Sequence, residues 1–197
     1  MSVPQQLRDD PRWARLVDLV RELAFLDGGN DEAFTLASGR TSRWFFDMKP
    51  VMMHPEAGRL VGHLMNVRCD EIGADFVGGL ELGAVPLAAL VVATDFTSER
   101  LGFMVRKQAK GRGGRKTNNP PGIEGASISE GGRVIILEDV TTTGGSAIQA
   151  VKRIEEETSC EVVAVISILD RQEGGKEAFE NAGIAFESLL VRSDISG

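Results

Sequence analysis

Short apolar runs alternate with amphipathic segments along most of the chain, and this alternation restricts the possible folds more than any other feature. The two clearest runs, residues 134–137 and 162–169, are apolar at almost every position. Strands that are apolar on both faces are typical of parallel sheets buried between helices. We therefore predict an α/β fold with a central, mostly parallel sheet, whose ligands bind at the carboxyl ends of the strands. The predicted strands are residues 76–79, 102–106, 133–137, 162–169 and 185–191.

Apolar side chains recur at helical spacing between these runs, and also before the first of them. Residues 34–49 differ, because they are rich in aromatic and β-forming residues and are interrupted at Ser38-Gly39, which predicts a hairpin. The length of 197 residues fits one compact domain better than two. The predicted helices are residues 11–26, 55–71, 85–96, 146–157 and 176–182.

Charge and composition argue against several classes of protein. A net charge of -7 argues against nucleic-acid binding. No apolar stretch reaches the ~20 residues that span a membrane, and the N-terminus lacks the pattern of a signal peptide. We therefore expect a cytoplasmic protein that does not bind a membrane. Cys69 and Cys160 have neither zinc-site nor redox spacing, so we expect both to be structural thiols.

Cationic side chains are concentrated in one part of this acidic chain. Residues 101–123 contain no Asp or Glu, and residues 106–116, here called the basic segment, contain six cations. A locally cationic segment in an acidic protein indicates a small anionic ligand rather than a polyanion. The six cations are Arg106, Lys107, Lys110, Arg112, Arg115 and Lys116.

A second segment combines acids with a phosphate-type loop. Glu138 and Asp139 directly follow the apolar run 134–137, and two acids at that place are costly unless they meet water, a cation or hydrogen-bond donors. Three threonines and two glycines come next, and Ser146 is expected to cap the following helix, whose N-terminus favours an anion. A ligand with hydroxyls at one end and a phosphate at the other, such as ribose 5-phosphate, fits this loop.

This loop resembles the 5-phosphoribosyl-1-pyrophosphate (PRPP) signature of type I phosphoribosyltransferases. Five further segments resemble motifs of one branch, the orotate phosphoribosyltransferases, and occur in that family's order. They are the hood motif at 34–49, the pyrophosphate loop at 78–88, the start and end of the mobile loop at 105–110 and 123–125, and an orotate-binding strand end at 167–171. The resemblance implies the type I fold in one domain of residues 1–197, of which about 1–50 form a small N-terminal hood.

The resemblance also implies roles on the PRPP side of the site. Glu138 and Asp139 hold the ribose hydroxyls, and the loop that follows cradles the 5-phosphate. Arg106, Lys107 and Lys110 neutralise pyrophosphate. Mg²⁺ bridges pyrophosphate and ribose hydroxyls near the two acids. The PRPP-binding set is Arg106, Lys107, Lys110, Glu138, Asp139, Val140, Thr141, Thr142, Thr143, Gly144, Gly145 and Ser146, and the catalytic set is Lys110, Asp139 and Arg112.

On the orotate side, the resemblance implies that Phe45 and Phe46 cover the ring, that Thr142 also reaches it, and that Arg171 pairs with the carboxylate. The family's activity is the conversion of PRPP and orotate into orotidine 5′-monophosphate (OMP) and pyrophosphate, in UMP synthesis. The family also implies a homodimer in which the mobile loop of each subunit, with Lys110, serves the neighbouring subunit's site.

The chain departs from the family pattern at three positions. Ala37 and Leu82 stand where many members have Lys, and Arg112 stands where His is usual. Arg cannot lose a proton near neutral pH, so the third difference bears on proton handling. Two alternatives therefore stay open: a phosphoribosyltransferase for another base, and a PRPP-sensing regulatory protein without catalysis.

Overall fold

A computed structural model describes residues 3–29, 34–35, 41–97, 99–108 and 117–197. The strands are β1 (Phe25–Asp27), β2 (Phe34–Thr35), β3 (Thr41–Ser42), β4 (Trp44–Phe46), β5 (Phe76–Leu80), β6 (Leu101–Val105), β7 (Ile123–Gly125), β8 (Gly132–Thr141), β9 (Cys160–Asp170) and β10 (Phe186–Val191). The helices are α1 (Gln5–Asp9), α2 (Pro11–Leu23), α3 (Lys49–Met52), α4 (Pro55–Ile72), α5 (Ala84–Ala93), α6 (Gly145–Glu157), α7 (Gly175–Asn181) and α8 (Arg192–Ser196).

The predicted central sheet is confirmed. Six strands are ordered β10-β9-β8-β5-β6-β7, and all neighbours are parallel except the edge pair β6 and β7. Successive residues of β8 enter opposite cores: Ile135 and Leu137 belong to the core that also contains residues of α2, α4 and α5, whereas Val134 and Ile136 belong to the core that contains residues of α6 and α7. Burial on both faces explains why these strands are apolar at nearly every position.

Strand β8 is longer than predicted. The prediction ended it at Leu137, but it continues to Thr141. The extension pairs with β9, with Glu138 opposite Ser167 and Thr141 opposite Asp170. The placement of both acids in a loop was therefore wrong, because pairing with a long neighbouring strand keeps a polar strand end extended.

The N-terminal region also differs from the prediction. Helix α2 ends at Leu23 rather than Leu26, and the next residues form β1, which pairs antiparallel with β4. The rings of Phe25 and Phe46 lie 5.1 Å apart across this pair. The predicted hairpin is only partly correct, because β2 pairs with β3, β4 pairs with β1, and Lys49 begins α3. Residues 36–40, including Ala37, lie outside the described residues.

The bounds of other helices and strands also differ from the prediction. Helix α5 ends at Ala93, and Phe96, predicted to belong to it, is 86% exposed. Strand β7 and helices α1 and α8 were not predicted. Cys69 and Cys160 are buried free thiols, and burial raises the pKa of Cys69 to about 12, as suits structural thiols. Of the helices in the described ranges, none is long and apolar enough to span a membrane.

Candidate functional site

The turn between β8 and α6 encloses a cavity of about 210 Å³ at the carboxyl edge of the sheet. Gly144, at a left-handed φ of 77°, is the N-cap of α6, and no side chain of the described residues forms an N-cap hydrogen bond there. Ser146 therefore does not cap the helix as predicted, because the left-handed turn at Gly144 starts α6 one residue before Ser146. The first backbone N–H groups of α6 are left available for an anion. The cavity lining is Glu138, Val140, Thr141, Thr142, Thr143, Gly144, Gly145 and Ser146.

Helix α7 supports this turn from behind. A Cβ atom at Gly175 would overlap the methyl group of Thr141, and one at Gly144 would press on the ring of Phe179 at 3.0 Å. Thr141 is almost fully buried, and its hydroxyl has no hydrogen-bond partner among the described residues. The phosphate-type turn is thus held in shape by close packing, with one buried hydroxyl at its base.

A second cavity, of about 440 Å³, adjoins the first. Glu138 lines only the smaller cavity and Asp139 only the larger, as expected for consecutive residues of a strand. The larger cavity is lined by Phe45, Phe46, Asp47, Met48, Lys49, Asp139, Val140, Thr142, Thr143, Ser146 and Arg171. Four of these residues also line the smaller cavity: Val140, Thr142, Thr143 and Ser146.

The Glu138 carboxyl has a strongly altered acidity. Burial, together with the neighbouring Asp139 carboxylate, raises the pKa of Glu138 to about 8, and the charge of Lys107 partly opposes the rise. In this state the site would hold a neutral carboxyl at pH 7. Donors or cations from a ligand would favour the ionised form.

Arg171 lies at the end of β9 and forms one wall of the larger cavity, with only 4% of its surface exposed. Its Nη2 atom donates to Ser42 Oγ at 2.9 Å and to the Trp44 carbonyl at 3.0 Å, and also lies 2.8 Å from Glu173 Oε1. Its Nε atom is buried without a partner in the described parts of the chain. Arg171 thus joins the N-terminal strands to β9 and keeps donor capacity for an anion.

Phe45 and Phe46 have different environments. Phe45 is half-buried, and its ring lies 5.7 Å from that of Phe34. Phe46 is buried and belongs to the core, and the Arg171 guanidinium lies 5.9 Å from its ring centroid. Phe45 is thus the more accessible ring for a planar ligand.

The first residues of the basic segment approach the pyrophosphate loop through Glu81. The Lys107 backbone N–H donates to Glu81 Oε1 at 2.8 Å. The Arg106 guanidinium lies 3.9 Å from Glu81 and 3.6 Å from Glu124. Glu81 was not predicted as a site residue, although an acid within the 78–88 motif was a visible signal for a partner of the basic segment.

The basic segment contains two other predicted site residues. Lys110 and Arg112 lie outside the described residues. Leu82, one of the departures from the family pattern, is 68% exposed beside the site. The residue at that position of the pyrophosphate loop is therefore apolar rather than cationic.

The acids of the site suit Mg²⁺ that is bound together with a phosphate ligand. Mg²⁺ prefers oxygen donors and is usually held by one or two carboxylates plus substrate phosphates. Glu138 and Asp139 supply two carboxyl groups beside the anion cradle. Within the described ranges, no group of three or more His, Cys, Asp or Glu side chains could hold a metal without a ligand's help.

Comparison with known proteins agrees with this geometry. The phosphoribosyl transferase domain family matches residues 51–185. An orotate phosphoribosyltransferase from Rhodopseudomonas palustris (strain BisB5) is 42% identical over 186 residues, which cover 92% of this chain and 94% of the relative. This chain belongs to the orotate phosphoribosyltransferase family.

Solved structures of that family have the same fold. Mycobacterium tuberculosis H37Rv orotate phosphoribosyltransferase in complex with Fe(III) dicitrate superposes with a TM-score of 0.80 at 34% identity, covering 95% of this chain and 100% of that one. The same enzyme in complex with PRPP gives a TM-score of 0.76 at 32% identity, with the same coverage. Membership thus rests on sequence and on fold across nearly the whole chain.

Proposed function

We propose that this orotate phosphoribosyltransferase family member transfers ribose 5-phosphate from PRPP to orotate, giving OMP and pyrophosphate in the synthesis of UMP. The observation that carries the proposal is the joining of two cavities through Val140, Thr142, Thr143 and Ser146. One cavity is an anion cradle at a helix N-terminus, and the other contains a buried arginine. A sugar phosphate and a planar carboxylate bound there would lie side by side.

On the PRPP side, the turn 141–146 would hold the 5-phosphate through backbone N–H groups and threonine hydroxyls. Glu138 and Asp139 would accept hydrogen bonds from the ribose hydroxyls. Their placement in adjoining cavities supports this role, because the ribose connects the phosphate to the reacting carbon. Val140 lines both cavities and would pack along the sugar.

On the orotate side, Arg171 would pair with the carboxylate, and Phe45 and Phe46 would cover the ring. Thr142 lines both cavities, which supports contact with both substrates. Lys49, which lines the larger cavity beside them, is a further cation for this part of the site. A purine has no carboxylate to pair with Arg171, so the buried arginine favours orotate over a purine.

Transfer breaks the bond between ribose C1 and pyrophosphate, forms a bond from C1 to N1 of orotate, and releases the N1 proton to the departing pyrophosphate. Negative charge builds on the leaving group, and cations placed there stabilise the transition state more than the ground state. Arg106, Lys107, Lys110 and Arg112 would supply that charge. Arg112 would serve as a fixed cation, because Arg does not release a proton near neutral pH. Mg²⁺ bound with PRPP near the two acids would add to the same effect.

The proposal includes an assembly and a location. The chain would act as a single domain of residues 1–197 with a hood of about 1–50, in a cytoplasmic homodimer. Lys110 of each subunit would serve the site of its neighbour. No role for nucleic acid or membrane is proposed.

The test is ultraviolet monitoring of orotate consumption in the presence of PRPP and Mg²⁺, with hypoxanthine and uracil as alternative acceptors. We expect turnover with orotate only. Turnover with a control base would instead indicate a phosphoribosyltransferase for that base. PRPP binding without turnover of any base would indicate the sensing protein.

A further inference from the structure

Arg153, a partly buried residue of α6, hydrogen-bonds to the backbone on both flanks of the basic segment. Its Nη1 atom donates to the carbonyl of Arg106 at 2.8 Å, and its Nη2 atom donates to the carbonyl of Pro121 at 2.6 Å. The side chain is only 19% exposed. A single guanidinium thus joins two points that are 15 residues apart in sequence and bracket residues 107–120.

The backbone on the two sides of the basic segment is paired, and residues 105–106 and 121–123 are here called the stem. The Arg106 N–H donates to the Gly122 carbonyl at 2.8 Å, next to the antiparallel pair of Val105 and Ile123. Gly122 has a left-handed φ of 92°, and a Cβ atom there would lie 2.6 Å from Arg153 Nη2. The guanidinium therefore leaves no room for a side chain at this position of the stem.

The Arg153 guanidinium also has a hydrogen-bond partner on its own helix, α6. Arg153 Nε donates to Glu157 Oε1 at 3.0 Å, one turn further along α6. With Nε bound to Glu157 and both Nη atoms bound to carbonyls, every nitrogen of the guanidinium has a partner. Such a planar fork is a fixed support, which the single ammonium group of lysine cannot reproduce.

The first two cations of the basic segment, Arg106 and Lys107, lie in the stem and directly after it. The Arg106 side chain faces Glu81 and Glu124, and Lys107 is tied to Glu81 through its backbone N–H. The same helix α6 begins at the anion cradle, at Gly145. Arg153 therefore connects the helix that bears the phosphate cradle to the residues that begin the basic segment.

We infer that Arg153 is a positioning residue that holds Arg106 and Lys107 at the pyrophosphate side of the site by hydrogen-bonding to both ends of the stem. The inference rests on the proposed function, since it assigns Arg106 and Lys107 to pyrophosphate. It predicts a selective defect. Replacing Arg153 should lower the protein's affinity for ligands that carry a pyrophosphate. It should not lower the affinity for ligands that contact only the 5-phosphate cradle and the larger cavity proposed to bind orotate.

The experiment compares PRPP with OMP by isothermal titration calorimetry, each in the presence of Mg²⁺. OMP has the 5-phosphate and the orotate ring but lacks pyrophosphate. Arg153→Ala is expected to weaken PRPP binding about tenfold or more, as for the loss of two hydrogen bonds from a charged donor. OMP binding should stay within about twofold of wild type. Arg153→Lys should weaken PRPP binding less than Arg153→Ala, because an ammonium group can reach one carbonyl.

Lys152→Ala is the matched control, because it removes the same charge from the neighbouring, exposed position of α6. It should leave both affinities unchanged. Equal loss of PRPP and OMP binding in Arg153→Ala would overturn the inference, since general damage to α6 spoils the cradle that both ligands share. Unchanged PRPP binding would also overturn it. If Arg153→Ala does not fold, the affinities of Arg153→Lys for PRPP and for OMP are compared in the same way. A selective loss of PRPP binding then supports the inference, and an equal loss for both ligands, or no loss, overturns it. Orotate turnover by the wild type, measured in parallel, reports separately on the proposed function.

Discussion

Asp139 and Gly83 are in direct contact: the carboxylate near the end of β8 lies against the backbone of the glycine that precedes α5, and a Cβ atom at Gly83 would overlap it. The backbone at Gly83 has a helical φ of -58°, which any residue can adopt. Space, rather than backbone conformation, therefore requires glycine here. This contact fixes the pyrophosphate loop relative to the acid that we assign to the ribose.

The first prediction follows from this contact. Gly83→Ala should displace the Asp139 carboxylate and lower kcat/KM for PRPP by about tenfold or more, because small errors in the placement of reacting groups are costly. The melting temperature should change little. The matching test is a double-mutant cycle with Asp139→Asn. If Gly83→Ala acts through Asp139, the double variant is no worse than Asp139→Asn alone. Additive losses would show that Gly83 matters for another reason.

The second prediction concerns the stability of the protein without PRPP. The pKa of Glu138 is about 8 in the fold against 4.5 ordinarily, so the folded state binds the proton more tightly than the unfolded state. Stability contributed by the neutral carboxyl is therefore present below pH 4.5 and lost as pH rises towards 8. Glu138→Gln, which cannot ionise, should be more stable than wild type at pH 8.5 by up to about 5 kcal/mol, since the rise from 4.5 to about 8 is about 3.5 pK units and each unit is worth about 1.4 kcal/mol.

Chemical denaturation at pH 5 and at pH 8.5 measures this effect. The gain from Glu138→Gln should be much larger at pH 8.5 than at pH 5. An equal gain at both values would mean that Glu138 ionises normally in the folded protein. The same variant should use PRPP poorly, because an amide cannot replace the charge proposed to hold the ribose hydroxyls.

The third prediction separates the two proposed roles of Arg171, in the hood and in orotate binding. Arg171→Ala should raise the KM for orotate far more than the KM for PRPP, since losing a buried charged contact costs roughly 2–5 kcal/mol. Arg192→Ala is the control, because the Arg192 guanidinium also packs on the hood, 4.4 Å from the Trp44 ring centroid, but does not line the larger cavity. A similar rise in the orotate KM for both variants would assign the effect to the hood rather than to orotate.

The fourth prediction concerns assembly. Lys110→Ala and Asp139→Asn should each be nearly inactive alone. In a mixed dimer, one site receives an intact Lys110 from one subunit and an intact Asp139 from the other. After full random exchange, half of the dimers are mixed, so about one quarter of all sites should recover activity. If exchange is demonstrated and activity does not recover, Lys110 acts within its own chain or the protein is not this dimer.

The chain's local patterns were sufficient to predict the type of fold and the position of the phosphate-type turn. Apolar side chains on both faces of 134–137 and 162–169 need burial on both sides, which favours a parallel sheet between helices. Acids, threonines and glycines occupy seven of the eight residues 138–145, and this local pattern is enough to mark the position of the phosphate-type turn. Both features depend on the chemistry of neighbouring residues, which the sequence states directly.

Tertiary structure decided the features that depend on distant partners. Strand β8 continues through Glu138 because β9 pairs with it, and Phe25 is in a strand because β4 lies beside it. The contacts of Arg171 with Trp44, and of Arg153 with Arg106 and Pro121, join residues 32 to 127 positions apart. The raised pKa of Glu138 likewise results from burial in the folded chain. Such contacts depend on how the elements pack in space, and local sequence preferences contain no information about that packing.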